Sequence, residues 1–133
     1  MQSFRTSVAE IKLVDRDLAR IEYSPNTHVD LPQLEEALQI YKKLFGDRKF
    51  YVLTVVNSGV TLSEQARNYW TTAERSEIKI AEAFVLKATG HSLLAKFITT
   101  FQPPKHELKI FSDEKKALVW LNSVRNKKAP QIL

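Results

Sequence analysis

Phe50-Tyr51-Val52-Leu53-Thr54-Val55-Val56-Asn57-Ser58-Gly59-Val60-Thr61-Leu62-Ser63-Glu64 is the stretch on which the fold turns. Its first half is almost wholly apolar, β-branched or aromatic. Such a run suits a central strand covered on both faces. Asn57-Ser58-Gly59 punctuates its end. Thr61 then reads as a helix N-cap, with Glu64 three residues on completing a capping box. The helix that follows is expected from about Leu62 to Trp70 or somewhat beyond.

Upstream, Asp30 reads as the N-cap of an earlier helix, with Gln33 at the capping-box position and Pro32 in the first turn. Leu31, Leu34, Ala37, Leu38, Tyr41, Leu44 and Phe45 recur at helical spacing, and Gly46 ends the run. Before it, Val8 to Leu13 and Leu18 to Tyr23 read as two strands joined by a hairpin turn, Val14-Asp15-Arg16-Asp17. Pro25 and Asn26 mark a loop between the second strand and the helix.

Downstream, a polar stretch from Thr71 to Glu77 leads into a strand, Ile80 to Leu86. Glu82 fits that strand poorly and is expected at an edge or near the strand's start. Gly90 breaks the pattern. Leu93, Leu94, Phe97, Ile98 and Phe101 form an apolar helical stripe that Pro103-Pro104 stops. Leu108, Ile110 and Phe111 belong to a short last strand. Ser112 is read as the cap of a final helix, with Asp113 and Glu114 in its first turn and Ala117, Leu118, Leu121 and Val124 on its buried face.

The order is β-β-α-β-α-β-α-β-α. It predicts an α/β domain with a mixed sheet of five strands and four helices. A length of 133 residues is that of a single domain. The domain is expected over residues 1–126, with 127–133 a basic tail. The chain has no cysteine, which excludes disulfides and thiolate metal sites. The N-terminal residues carry no apolar signal-peptide core, and no apolar run approaches the ~20 residues of a membrane span. The chain is therefore read as cytoplasmic, without a transmembrane segment.

The net charge of +5 raises the question of nucleic acid. Arg125, Lys127 and Lys128 carry three of those charges, leaving 17 basic against 15 acidic residues in positions 1–124. Lys42-Lys43 and Lys115-Lys116 lie on helices with carboxylates nearby. Solvated helix faces and a basic tail explain this pattern, so no nucleic-acid partner is expected.

Element order and local text together resemble the STAS family, named for sulfate transporters and anti-sigma factor antagonists, and in particular its stand-alone bacterial members. The loop Asn57-Ser58-Gly59-Val60-Thr61 after the central strand resembles that family's strand-to-helix loop. The ending Lys109-Ile110-Phe111-Ser112-Asp113-Glu114, followed by Ala117-Leu118-Val119-Trp120-Leu121, resembles its last strand and last helix. The resemblance implies a non-enzymatic regulatory module. It would bind a protein partner through Asn57, Ser58, Gly59, Thr61 and Ser63 and the second helix. The family's phospho-switch members carry a serine within Asp-Ser-Ser-Gly at the start of that helix. Here the text is Leu62-Ser63-Glu64-Gln65-Ala66, so Ser63 is the one hydroxyl that could stand in, without the flanking Asp and Gly.

Other chemistry finds little support. His28, His91 and His106 lie in separate segments without metal-ligand spacing, and surface or loop-end roles are expected for them. Neither a nucleophile elbow nor a glycine-rich phosphate loop is present. Asp15 and Asp17 are explained by turn chemistry, and Glu35-Glu36 and Glu74/Glu77 by solvation. No enzyme activity, cofactor or metal is expected. The alternative is a binder of a small apolar or lipid-like ligand, in a pocket lined by Tyr69, Trp70, Phe97 or Phe101. Adjacent aromatics on a helix point about 100° apart, so Tyr69 and Trp70 do not share one narrow stripe. A homo-oligomer is compatible with all of this.

Overall fold

The computed structural model describes residues 3–70, 78–87 and 106–128. Phe50–Val56 forms β5, and every residue of it is buried. Strands on both sides make this possible. On one side lies β3 (Leu18–Tyr23), on the other β7 (Lys79–Leu86), both parallel to β5. β8 (Glu107–Phe111) adds parallel to β7. On the far side, β2 (Ala9–Asp15) pairs antiparallel with β3 through a tight turn at Arg16-Asp17. β1 (Ser3–Arg5) pairs antiparallel with β2. The main sheet thus has six strands in the order β1-β2-β3-β5-β7-β8.

Two expectations need correcting here. The sheet has a sixth strand because β1, too short to show a period of two, is held by its pairing with β2. A separate two-stranded ribbon also forms, from β4 (His28–Val29) and β6 (Thr61–Leu62). Of the four expected helices, the described residues contain three: α1 (Leu31–Phe45), α2 (Glu64–Trp70) and α3 (Glu114–Lys128). The expected helix through Leu93 and Phe101 lies outside the described residues. α3 runs to Lys128, two residues beyond the expected domain limit.

Local chemistry explains α1. The Asp30 side chain accepts the Gln33 N–H and Gln33 Oε1 accepts the Asp30 N–H at 2.9 Å, so the capping box is formed, and Asp30 Oδ1 also accepts the Leu31 N–H at 2.8 Å. Gly46 closes the helix at φ +62°, a conformation that glycine adopts without a Cβ penalty.

The alternation of strand side chains creates two cores. Phe50, Val52 and Val56 face the layer of α1 and α2, where Leu34, Ala37, Tyr41, Phe45 and Ala66 pack on them. Phe45 stacks on Phe50 with ring centroids 4.1 Å apart. Tyr51, Leu53 and Val55 face the opposite way, onto Ala117, Leu121 and Val124 of α3. α3 is pinned at its far end by Arg125, whose guanidinium donates to Asp15 Oδ2 at 2.8 Å and Asp17 Oδ1 at 2.6 Å. Turn chemistry therefore does not account fully for these two aspartates. They also anchor the last helix.

Candidate partner-binding surface at the carboxyl ends of the strands

Parallel strands place the loops that follow them at the same end of the sheet. The loops after β3 and β5 meet there. The Asn26 N–H donates to the Ser58 carbonyl at 2.9 Å, the Thr61 N–H to Thr27 at 3.0 Å, and the Ser63 N–H to Val29 at 3.0 Å. These bonds and the β4–β6 pairing fuse two loops into one ridge.

Gly59 is the tightest point of that ridge. Its φ is +78°, and a Cβ built on it would stand 2.0 Å from Asn26 Oδ1. Asn26 itself has a φ of +60°, a conformation asparagine tolerates better than most residues. Glycine is thus needed at position 59 for backbone conformation and for close approach at once.

The ridge also revises the expected cap of α2. Thr61 is a strand residue of β6, and its hydroxyl lies 2.7 Å from His28 Nδ1. The cap is Ser63. Its carbonyl accepts the Arg67 N–H at 3.0 Å and its Oγ accepts the Ala66 N–H at 3.0 Å. Pairing with β4 keeps Thr61 extended, so the helix starts at Glu64. Ser63 Oγ also donates to Asp30 Oδ1 at 2.6 Å. That bond, with the Leu31 N–H, holds the Asp30 carboxyl below its ordinary pKa. A smaller shift, of one residue, occurs at α3. There Asp113, not Ser112, caps the helix, accepting the Ala117 N–H with its carbonyl at 3.1 Å and the Lys115 N–H with Oδ1 at 2.9 Å.

Of the expected partner-binding residues, Ser58, Gly59 and Thr61 are exposed, and Asn57 and Ser63 are half-buried. The last two are structural anchors. Asn57 Nδ2 donates to Glu22 Oε2 at 2.9 Å and to the Tyr23 carbonyl at 2.8 Å. The structure adds Asn26 and His28, both exposed, to the same ridge. Sequence reading missed them as members of this surface. The available signal was the Pro25-Asn26 loop directly after a strand parallel to the central one.

Of the residues expected to line an apolar pocket, Tyr69 is the one whose side chain lies among the described residues. Tyr69 is half-buried and packs against the core beneath α1. Trp70 is the last residue of α2, and Phe97 and Phe101 lie outside the described residues, as does His91.

A second polar cluster lies inside the fold. Glu82 is 1% exposed, in the middle of β7 between β5 and β8 and not at an edge. Thr54 Oγ1 donates to Glu82 Oε2 at 2.6 Å. Lys79 Nζ and His106 Nε2 each lie 3.0 Å from Oε1. A carboxylate only accepts, so His106 carries a proton on Nε2. Burial alone would raise the Glu82 pKa, but Lys79, His106 and Thr54 outweigh it and bring it to about 2. His106, which stands directly before β8, is therefore buried and not the surface histidine that was one of the roles expected from sequence. Among the described residues no group of three His, Asp or Glu side chains is placed to hold a metal ion. Nor is any described helix long and apolar enough to cross a membrane.

The half-parallel sheet, with α1 and α2 on one face and α3 on the other, is a SpoIIAA-like arrangement. It is similar to the crystal structure of an uncharacterized protein of the DUF3478 family with a SpoIIAA-like fold, from Shewanella loihica PV-4. The two share a TM-score of 0.57 at 15% identity, over 91% of this chain and 98% of that one. The STAS-like fold expected from the sequence is thus the fold of this chain. The chain belongs to the family described as a domain of unknown function, DUF7793, which matches residues 12–125. Comparison with curated proteins finds no match.

Proposed function

We propose that the chain is a non-enzymatic regulatory module, resembling anti-sigma factor antagonists, that binds a protein partner through the Asn57–Ser63 loop and α2. The observation that carries this reading is the ridge at the carboxyl ends of β3 and β5. Backbone bonds hold it rigid, while Asn26, His28, Ser58 and Thr61 face solvent. A preformed polar surface of this kind loses little conformational entropy on docking. The SpoIIAA-like fold supports the reading by analogy. In this reading the domain acts as the module in the cytoplasm, and neither nucleic acid nor a cofactor takes part.

The test is capture from native lysate with the full chain as bait, followed by mass spectrometry. Ser58→Arg and Gln65→Arg place bulk on the ridge and on the exposed face of α2. A protein captured by the wild type and lost with both folded variants supports the reading. A partner that both variants still capture sinks it.

A further inference from the structure

Asn57, Glu22, Arg20 and Glu114 form one continuous chain of side-chain hydrogen bonds across the carboxyl half of β3. Asn57 reaches Glu22 Oε2 at 2.9 Å. Arg20 Nη1 donates to Glu22 Oε1 at 2.9 Å. The same guanidinium reaches α3 with two prongs, Nε to Glu114 Oε2 at 2.8 Å and Nη2 to Glu114 Oε1 at 3.1 Å. Alternation along β3 puts Arg20 and Glu22 on the Leu18 side, the face that α3 covers. Glu114 is in the first turn of α3. Asn57 opens the loop that leads to α2 on the other side of the sheet. The Lys87 ammonium adds attraction for both carboxylates, which lie below their ordinary pKa chiefly through Asn57 at Glu22 and Arg20 at Glu114.

Arg20 divides its donors between two carboxylates. If Glu114 is withdrawn, the guanidinium is free to take Glu22 with both prongs and so competes with Asn57 for the same oxygens. We infer that Arg20 and Glu114 are positioning residues for the Asn57–Ser63 loop, so that the first turn of α3 and the loop open and close as one local unit. Whatever engages or displaces the start of α3 is then felt at the ridge on the opposite layer. This gives the ridge a regulatory input, in addition to the partner reading above. The coupling itself is measured on the free chain and stands apart from any partner.

Amide hydrogen exchange on the full chain tests it. Glu114→Gln keeps the shape of the side chain and removes its charge. It is expected to speed exchange about threefold in residues 57–63 as well as in the first turn of α3, the size set by one partly exposed ion pair. Arg20→Lys keeps the charge but not the fork and gives a smaller acceleration. Arg125→Gln releases the opposite end of α3 from Asp15 and Asp17, and is expected to leave 57–63 at the wild-type rate. Two results overturn the inference. One is Glu114→Gln speeding α3 while 57–63 stays unchanged. The other is Arg125→Gln speeding 57–63 as much as Glu114→Gln does, which indicates general loosening. Either leaves the partner reading standing, and loss of the captured partner in turn leaves this coupling untouched.

Discussion

Ser63 Oγ donates to Asp30 Oδ1 at 2.6 Å, so the residue that caps α2 is hydrogen-bonded to the residue that caps α1. Two helix starts, 33 positions apart in the chain, share one carboxylate. The bond uses the hydroxyl that a phospho-switch would need. A group placed on Ser63 Oγ replaces the proton donated to Asp30 and so breaks that bond.

Ser63→Ala removes both the cap and the link between the helices. The expected loss is about 1–2 kcal/mol in urea denaturation. Thr61→Ala, whose hydroxyl meets only the exposed His28 ring among the described residues, is expected to stay within about 0.5 kcal/mol. Equal losses in the two variants would show that Ser63 is not the cap that matters.

Gly59→Ala forces a Cβ against Asn26 and a side chain onto a φ of +78°. A cost above about 1 kcal/mol is expected, with faster amide exchange along β4 and β6. Replacing Asn26 with glycine removes the nearest obstruction, Oδ1 at 2.0 Å, but not the strain. The double variant Asn26→Gly/Gly59→Ala should therefore lose less than the two single losses added together. Strict additivity in that cycle would place the whole effect in the backbone of residue 59.

Glu82 is held at a pKa of about 2 in the fold, well below its ordinary 4.5. Its contribution to stability is complete above the higher value and is lost as the pH falls toward the lower one. Glu82→Gln removes the carboxylate on which Lys79, His106 and Thr54 converge, at an expected cost of about 3–5 kcal/mol at neutral pH. The variant should also lose less stability than the wild type between about pH 5 and about pH 3. Glu22, Asp30 and Glu114 keep their own acid sensitivity, so the slope shrinks and does not vanish. Urea midpoints across that range decide it, and an unchanged slope would remove Glu82 from the acid response.

Much of the fold was legible because its signals are local. The capping box of Asp30 and Gln33, the stop at Gly46 and the apolar run Phe50–Val56 act through neighbours within a few residues or through continuous burial. The sequence also showed the exposed loop around Ser58 and Gly59. It determined the order of the elements, and with it a fold whose parallel strands deliver their loops to one end. Three features needed tertiary contacts. Thr61 is a strand residue because its pairing with His28 holds it extended, Glu82 is tolerable because Thr54 and His106, from β5 and the start of β8, join Lys79 of its own strand around it, and Asp15 and Asp17 hold an arginine from the last helix. Hydrogen bonds and ion pairs act over about 3 Å in space but carry no trace of their partner along the chain. The sequence alone thus determined the alternation of strands and helices, while folding decided which polar side chains meet and so what the ridge presents to solvent.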